Sequence, residues 1–280
     1  MMTQADELIS AFEAAAAHPV LPAKPETALC RTGIDLGTAC VVLAVLDEDN
    51  RPVGGAWRYA DVVRDGMVVD YLGAVAIVRE LKELVEADLG GVELVHAAAA
   101  IPPGTDSLDG GAVRHVAESA GFTLDALADE STAANEVLGI RDGAVVDIGG
   151  GTTGISIFQD GQVRYTADEP TGGTHFSLVL AGAKQMTFED AEVYKRDPAH
   201  HAEILPVLKP TIEKVASIIA RHIVGYRVPD IYLVGGTACL TGIEQVVEAA
   251  LGIPTHKPAN PMFVTPLGIA MTCCKAEKER

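Results

Sequence analysis

The sequence predicts an α/β fold built twice, as two lobes of one design, and three observations carry that prediction. Two glycine-tipped hairpins, "GIDLGTACVVLAVLDEDNRPV" and "VVDIGGGTTGISIFQDGQV", share an opening: an apolar run, Asp, an apolar residue and Gly, with a hydroxyl within the next three residues. Helical segments and a short apolar strand separate the two hairpins, and such self-similarity is weighed before any single motif. At 280 residues the chain is long enough to fill two compact lobes.

In chain order, "TQADELISAFEAAAA" places Leu8, Ile9, Phe12, Ala15 and Ala16 on one face of an amphipathic helix. Pro19, Pro22 and Pro25 then mark a semi-rigid linker, so residues 1–28 read as an appended helix and linker. The first lobe spans 29–140 and is completed by about 262–275; the second spans 141–261. Within the first lobe, Asp49-Asn50 is turn chemistry, "YLGAVAIVRELKELVEADLG" is a helix closed by Gly90, and "ELVHAAAAIPP" is a short strand. "GGAVRHVAESAGF" is a helix ending at Gly121, and "LDALADESTAANEVLGI" is a strand leading into another helix. Asp160-Gly161 turns the second hairpin.

Gly149, Gly151 and Gly154 also spell G-x-G-x-x-G. A dinucleotide fingerprint needs a helix directly after its glycines, whereas here "ISIF" and the Asp160-Gly161 turn continue as strand. A Walker A loop is excluded because the chain has no Gly-Lys dipeptide. Two hairpin tips facing one another suit a triphosphate instead. Gly37 and Thr38 on one tip, and Gly149, Gly150, Gly151, Thr152 and Thr153 on the other, offer close backbone amides and hydroxyl donors. Asp35 and Asp147 are the candidate ligands of a hydrated Mg²⁺, an ion that needs few protein carboxylates.

Composition narrows the partners. A formal charge of −18 opposes an extended phosphate-binding surface, so no nucleic-acid partner is expected. The five cysteines form no C-x-x-C pair and read as reduced thiols of a cytoplasmic protein. Asp6 and Glu7 stand where a secretion signal would be basic, and no apolar run reaches the ~20 residues a bilayer requires, so no membrane partner is expected.

These stretches resemble the actin-like ATPase superfamily of actin, DnaK-type chaperones, bacterial actin homologues and sugar kinases. "DLGT" and "DIGGGTT" look like its two phosphate motifs, and "LVGGTACLTGIEQVV" like its adenosine motif, with Gly235, Gly236 and Thr237. "ADESTAANEVLGI" is similar to the connecting helix whose leading Glu, here Glu130, is implied to orient the attacking water. "TGGTHFSLVLA" resembles the Gly-Gly turn, Gly172 and Gly173, and Glu192 and Lys195 match an E-x-x-K pair implied to reach ribose and adenine. The implied fold is two-lobed and actin-like, with duplicated ribonuclease H-like domains, and the implied cofactors are ATP and Mg²⁺, with Asp35, Asp147 and Glu130 catalytic. "ADVVRDGMVVDYLGAVAIVR", "IPPGTD" and "HIVGYRVPDIYLVGG" further resemble the chaperone-like proteins encoded with ethanolamine-utilisation genes and their bacterial microcompartment. That resemblance implies protection, reactivation or assembly of ethanolamine ammonia-lyase, with microcompartment shell proteins as further partners. An actin-like filament or scaffold for compartment assembly is the alternative it leaves open.

Departures from the pattern are equally specific. Gly154 stands where DnaK-type chaperones carry an Asp after the second tip, which points to slow hydrolysis. No counterpart of their catalytic Lys is found, the upper subdomain of the first lobe is expected to be small or absent, and no DnaK-type substrate domain is expected. His200 and His201 read as a solvated loop, and His175 as a turn residue within reach of a phosphate. The N-terminal helix reads either as an encapsulation tag or as a helix docked on its own lobe.

Overall fold

The computed structural model describes residues 2–20, 30–64, 66–103 and 107–273. Most of the Pro-rich linker, the end of "IPPGTD" and the tail after Cys273 lie outside them. Two compact units emerge: Met1–Gly139 with Phe263–Arg280, and Ile140–Met262.

In the first unit, α1 (Met2–Ala17) precedes an antiparallel meander of β1 (Arg31–Leu36), β2 (Cys40–Leu46) and β3 (Pro52–Tyr59). Among the described residues, a two-stranded hairpin, β4 (Val63–Arg64) and β5 (Met67–Val68), is the regular structure between this meander and α2 (Tyr71–Asp88). β6 (His96–Ile101), α3 (Ser107–Ser119), β7 (Thr123–Asp129) and α4 (Glu130–Leu138) follow, and the sheet runs β3-β2-β1-β6-β7 with β6 and β7 parallel to β1. α2 begins where the Asp70 carboxylate accepts the amide of Gly73 at 2.9 Å, and it buries Ala74, Val78, Leu81 and Val85, a helical stripe against the sheet.

The second unit repeats the plan. β8 (Gly143–Ile148), β9 (Thr153–Gln159) and β10 (Gln162–Glu169) form the meander. α5 (Gly173–Lys184), α6 (Phe188–Arg196) and α7 (His201–His222) lead to β11 (Ile231–Val234), α8 (Ile243–Leu251) and β12 (Thr255–His256), giving the order β10-β9-β8-β11-β12. At the β9–β10 turn Asp160 (φ 57°) and Gly161 (φ 78°) are both left-handed, as a two-residue hairpin demands. α7 drives Ile204, Leu208, Ile212, Val215 and Ile219 into the core although Pro206 and Pro210 lie inside it.

Register shows how closely the halves correspond. Asp35 pairs with Val42 and Leu36 with Val41; Asp147 pairs with Gly154 and Ile148 with Thr153. Each Asp therefore sits one position before the last pair, ahead of the tips 37–40 and 149–152. Strand continues after both tips, which disposes of the dinucleotide reading of the glycines.

α1 is not an appendage. It buries Ala5, Ile9, Phe12 and Ala15 against its own unit, and Phe12 meets Phe263 edge-on with ring centroids 5.0 Å apart. Phe263 opens the return of the chain into the first unit, just before α9 (Val264–Thr272). The same face that a tag would bury in a shell groove is thus occupied within the chain.

Candidate nucleotide-binding site

The second tip is held from beneath through its carbonyls. Gly149 O accepts the amide of Gly173 at 2.9 Å and the hydroxyl of Thr237 at 2.7 Å; Gly150 O accepts the amide of Thr174 at 2.8 Å and its hydroxyl at 3.0 Å. With these oxygens turned inward, the amides of Gly150, Gly151 and Thr152 make no hydrogen bond among the described residues. Successive uncommitted backbone amides at a glycine-rich turn are the donor set of an anion-binding nest. Gly172 lies so close to the tip that an added Cβ would stand 2.7 Å from Gly150 O, so only glycine lets the two backbones pack.

Two threonines assigned to the nucleotide site, Thr153 as a hydroxyl donor and Thr237 through the adenosine motif, bond the protein with their hydroxyls instead. Thr153 is buried as the first residue of β9 and donates to Thr171 O, and Thr237 is the post under Gly149 just described. A local motif shows that a hydroxyl is present, while its neighbours in space choose what it bonds.

Asp147 is 7% exposed near the end of β8, and Gly235 packs directly on it. Cross-strand register aligns Asp147, Gly154 and Asp168 on one sheet face, so the next carboxylate beyond Asp147 comes from β10, across Gly154. The adenosine-motif loop continues into a 3-10 turn, Gly236–Cys239. Lys257 secures that turn by donating to Ala238 O at 3.1 Å and Leu240 O at 2.8 Å while pairing with Glu244. An added Cβ at Gly236 would meet nothing within 4 Å.

Glu192 and Lys195 are both largely buried. Lys195 Nζ lies 2.8 Å from Glu192, whose other oxygen accepts from Arg196 at 3.0 Å. Burial works against the Glu192 carboxylate, but Lys195, Ser177 and Arg196 together hold it below the usual carboxylate range; burial lowers the Lys195 ammonium.

His201, expected in a solvated loop, is buried at the start of α7, whereas His200 is partly exposed and stacks on Tyr194. The Thr241 amide donates to His201 Nδ1 at 3.0 Å, which leaves Nε2–H to donate to Lys195 O at 3.0 Å. The neutral ring fits this pattern and a protonated one does not. Burial holds its pKa below the usual range. Its stability contribution is therefore complete above the unfolded value of about 6.5 and is lost as pH falls from there toward the folded pKa. His201→Asn, which keeps an acceptor near Nδ1 and cannot titrate, should show a shallower fall in melting temperature between pH 7.5 and 5.5 than the parent. Equal slopes would refute this role.

In the first unit Asp35 is half-buried, and the amides of Gly37, Thr38 and Ala39 make no hydrogen bond among the described residues. Glu130 is the first residue of α4, half-buried; the helix is capped by Asp129, which accepts the Thr132 amide at 2.8 Å. Burial raises the Asp129 pKa against those amide bonds. Among the described residues no group of three or more His, Cys, Asp or Glu forms a metal cage, and no helix is long and apolar enough to cross a membrane.

The ethanolamine utilization protein EutJ of Salmonella typhimurium is 45% identical over 259 residues, covering 92% of this chain and 90% of its own length. This chain belongs to the EutJ family. The crystal structure of EutJ from Carboxydothermus hydrogenoformans superposes with a TM-score of 0.90 at 47% identity, over 96% of this chain and 98% of that one. MreB 5 of Spiroplasma citri, solved bound to AMPPNP, matches with a TM-score of 0.72 at 17% identity, over 91% of this chain and 98% of its own, and shows that the EutJ fold is actin-like. The family model of cell division protein FtsA matches residues 144–268, from β8 through the start of α9.

Several residues that shape this EutJ site carry no local signal. Thr174 directly follows the Gly-Gly turn and was within reach of motif reasoning. Ser177, Lys257 and Pro261, whose carbonyl accepts the Gly235 amide at 3.0 Å, belong to no recognisable spacing. They are found only from their contacts.

Proposed function

We propose that this EutJ protein binds ATP with Mg²⁺, hydrolyses it slowly, and uses the nucleotide cycle as a chaperone-like factor of ethanolamine utilisation. Its client in this reading is ethanolamine ammonia-lyase, or the microcompartment that houses it, which it protects, reactivates or helps to assemble in the cytoplasm. The observation that carries the nucleotide part is the second tip. Its carbonyls are tied inward to Gly173, Thr174 and Thr237, its amides at Gly150, Gly151 and Thr152 are uncommitted among the described residues, and Asp147 stands beside them. That donor set suits phosphate oxygens, and the carboxylate suits a cation that retains most of its water.

Asp147 and its counterpart Asp35 would hold Mg²⁺, which when bound neutralises phosphate charge. Glu130 would orient the attacking water, and Gly154, in place of a further carboxylate, accounts for slow turnover. The nucleotide complex of the MreB 5 relative supports the reading through shared fold.

Calorimetric titration of ATP with and without Mg²⁺ tests it. Binding should be metal-dependent, and Asp35→Ala and Asp147→Ala should each weaken it by about tenfold or more, the equivalent of one charge-assisted contact. No binding by the parent protein would overturn the proposal.

A further inference from the structure

We propose that Lys195 serves the phosphate end of the site by positioning Gly173, and makes no contact with ribose or adenine. The inference rests on the nucleotide-binding reading and departs from what the E-x-x-K resemblance implies for this residue.

An ammonium group has three hydrogens to donate. Lys195 Nζ has three acceptors within the unit: Gly173 O at 2.9 Å, Ser177 Oγ at 2.7 Å and Glu192 Oε1 at 2.8 Å. Ser177 is fully buried and passes its own hydrogen to Glu192, which leaves its oxygen to accept from the ammonium. With the Lys195 side chain 11% exposed, every donor is committed inside the protein. A ribose hydroxyl could take one only by breaking a bond of a buried charge.

What those bonds hold is the Gly-Gly turn. Lys195 fixes Gly173 through its carbonyl, and Gly173 fixes the tip through its amide, 2.9 Å from Gly149 O. At its other end the Lys195 backbone is anchored, its carbonyl accepting from His201. Gly149 O sits at the base of the tip whose next three amides are uncommitted among the described residues, so displacement of Gly173 shifts the backbone that carries those amides. Ser177 is a second positioning residue, because without it the ammonium loses one of its three acceptors.

The test uses the full chain and two probes, ATP with Mg²⁺ and adenosine, titrated into the parent, Lys195→Met and Ser177→Ala. Lys195→Met should weaken ATP by about tenfold while adenosine stays within about twofold, since only the phosphate end is disturbed. Ser177→Ala, which leaves the Lys195–Glu192 pair intact, should shift ATP in the same direction by a smaller factor. Without nucleotide, amide hydrogen exchange across residues 147–153 should accelerate in Lys195→Met, a readout that does not depend on ATP binding. Equal losses for ATP and adenosine in both variants, or unchanged exchange at the tip, would overturn the assignment. A parent protein that binds neither probe while exchange still accelerates would overturn the nucleotide reading and leave the positioning role standing.

Discussion

Phe12→Ala is expected to cost about 3–5 kcal/mol of stability, the range for removing a fully buried aromatic ring. Phe12 is completely shielded, packs edge-on against Phe263, and fills space that Gly55 of β3 leaves open, where a side chain would collide with the ring. Phe263 also meets Trp57, with centroids 5.0 Å apart, so the cavity would open beneath a three-ring cluster that joins α1, β3 and the returning C-terminal segment. Urea unfolding monitored by circular dichroism measures the loss. A change below about 0.5 kcal/mol, the level of a surface substitution, would mean that α1 is peripheral. The result bears on function too, because a helix this costly to remove from the core is poorly suited to leave it for a shell groove.

Gly235→Val should abolish nucleotide binding, by about a hundredfold or more, through Asp147. Gly235 adopts φ 88°, a region that β-branched residues avoid, and an added Cβ would strike the Asp147 carboxylate and approach Ile148 O to 2.7 Å. Its amide is bonded to Pro261 O at 3.0 Å, so the backbone cannot swing away without breaking that bond. Either the carboxylate or the loop must move. Gly236→Ala is the internal control: its Cβ would enter open space, and ATP affinity should stay within about twofold of the parent, since surface changes are usually worth less than about 0.5 kcal/mol. If both variants lose binding alike, the loop contacts the nucleotide directly and the collision with Asp147 is not the cause.

Duplication was legible because it is written in local chemistry. A strand that ends in Asp, an apolar residue and Gly and resumes as strand can be recognised by its own period, and the Asp160-Gly161 turn confirms where it folds back. The same period exposed the G-x-G-x-x-G match as accidental. Helix α2 was equally readable, since Gly90, left-handed at φ 74°, marks its end locally.

What the sequence by itself determined was therefore an α/β chain of two matching halves with Asp35 and Asp147 at equivalent strand ends. Tertiary structure alone decided what the polar and apolar groups meet. The stripe on α1 announces a buried face, yet only the fold supplies Phe263, some 250 residues away, as its partner. Pro206 and Pro210 each remove an amide bond from α7, but the aligned buried faces of Ile204, Leu208 and Ile212 offset that loss and hold it as one helix. Thr153, Thr237, Lys195 and His201 were visible as donors or acceptors and their partners were not, because a hydrogen bond is won by whichever group the packed chain brings within about 3 Å, regardless of its distance in sequence.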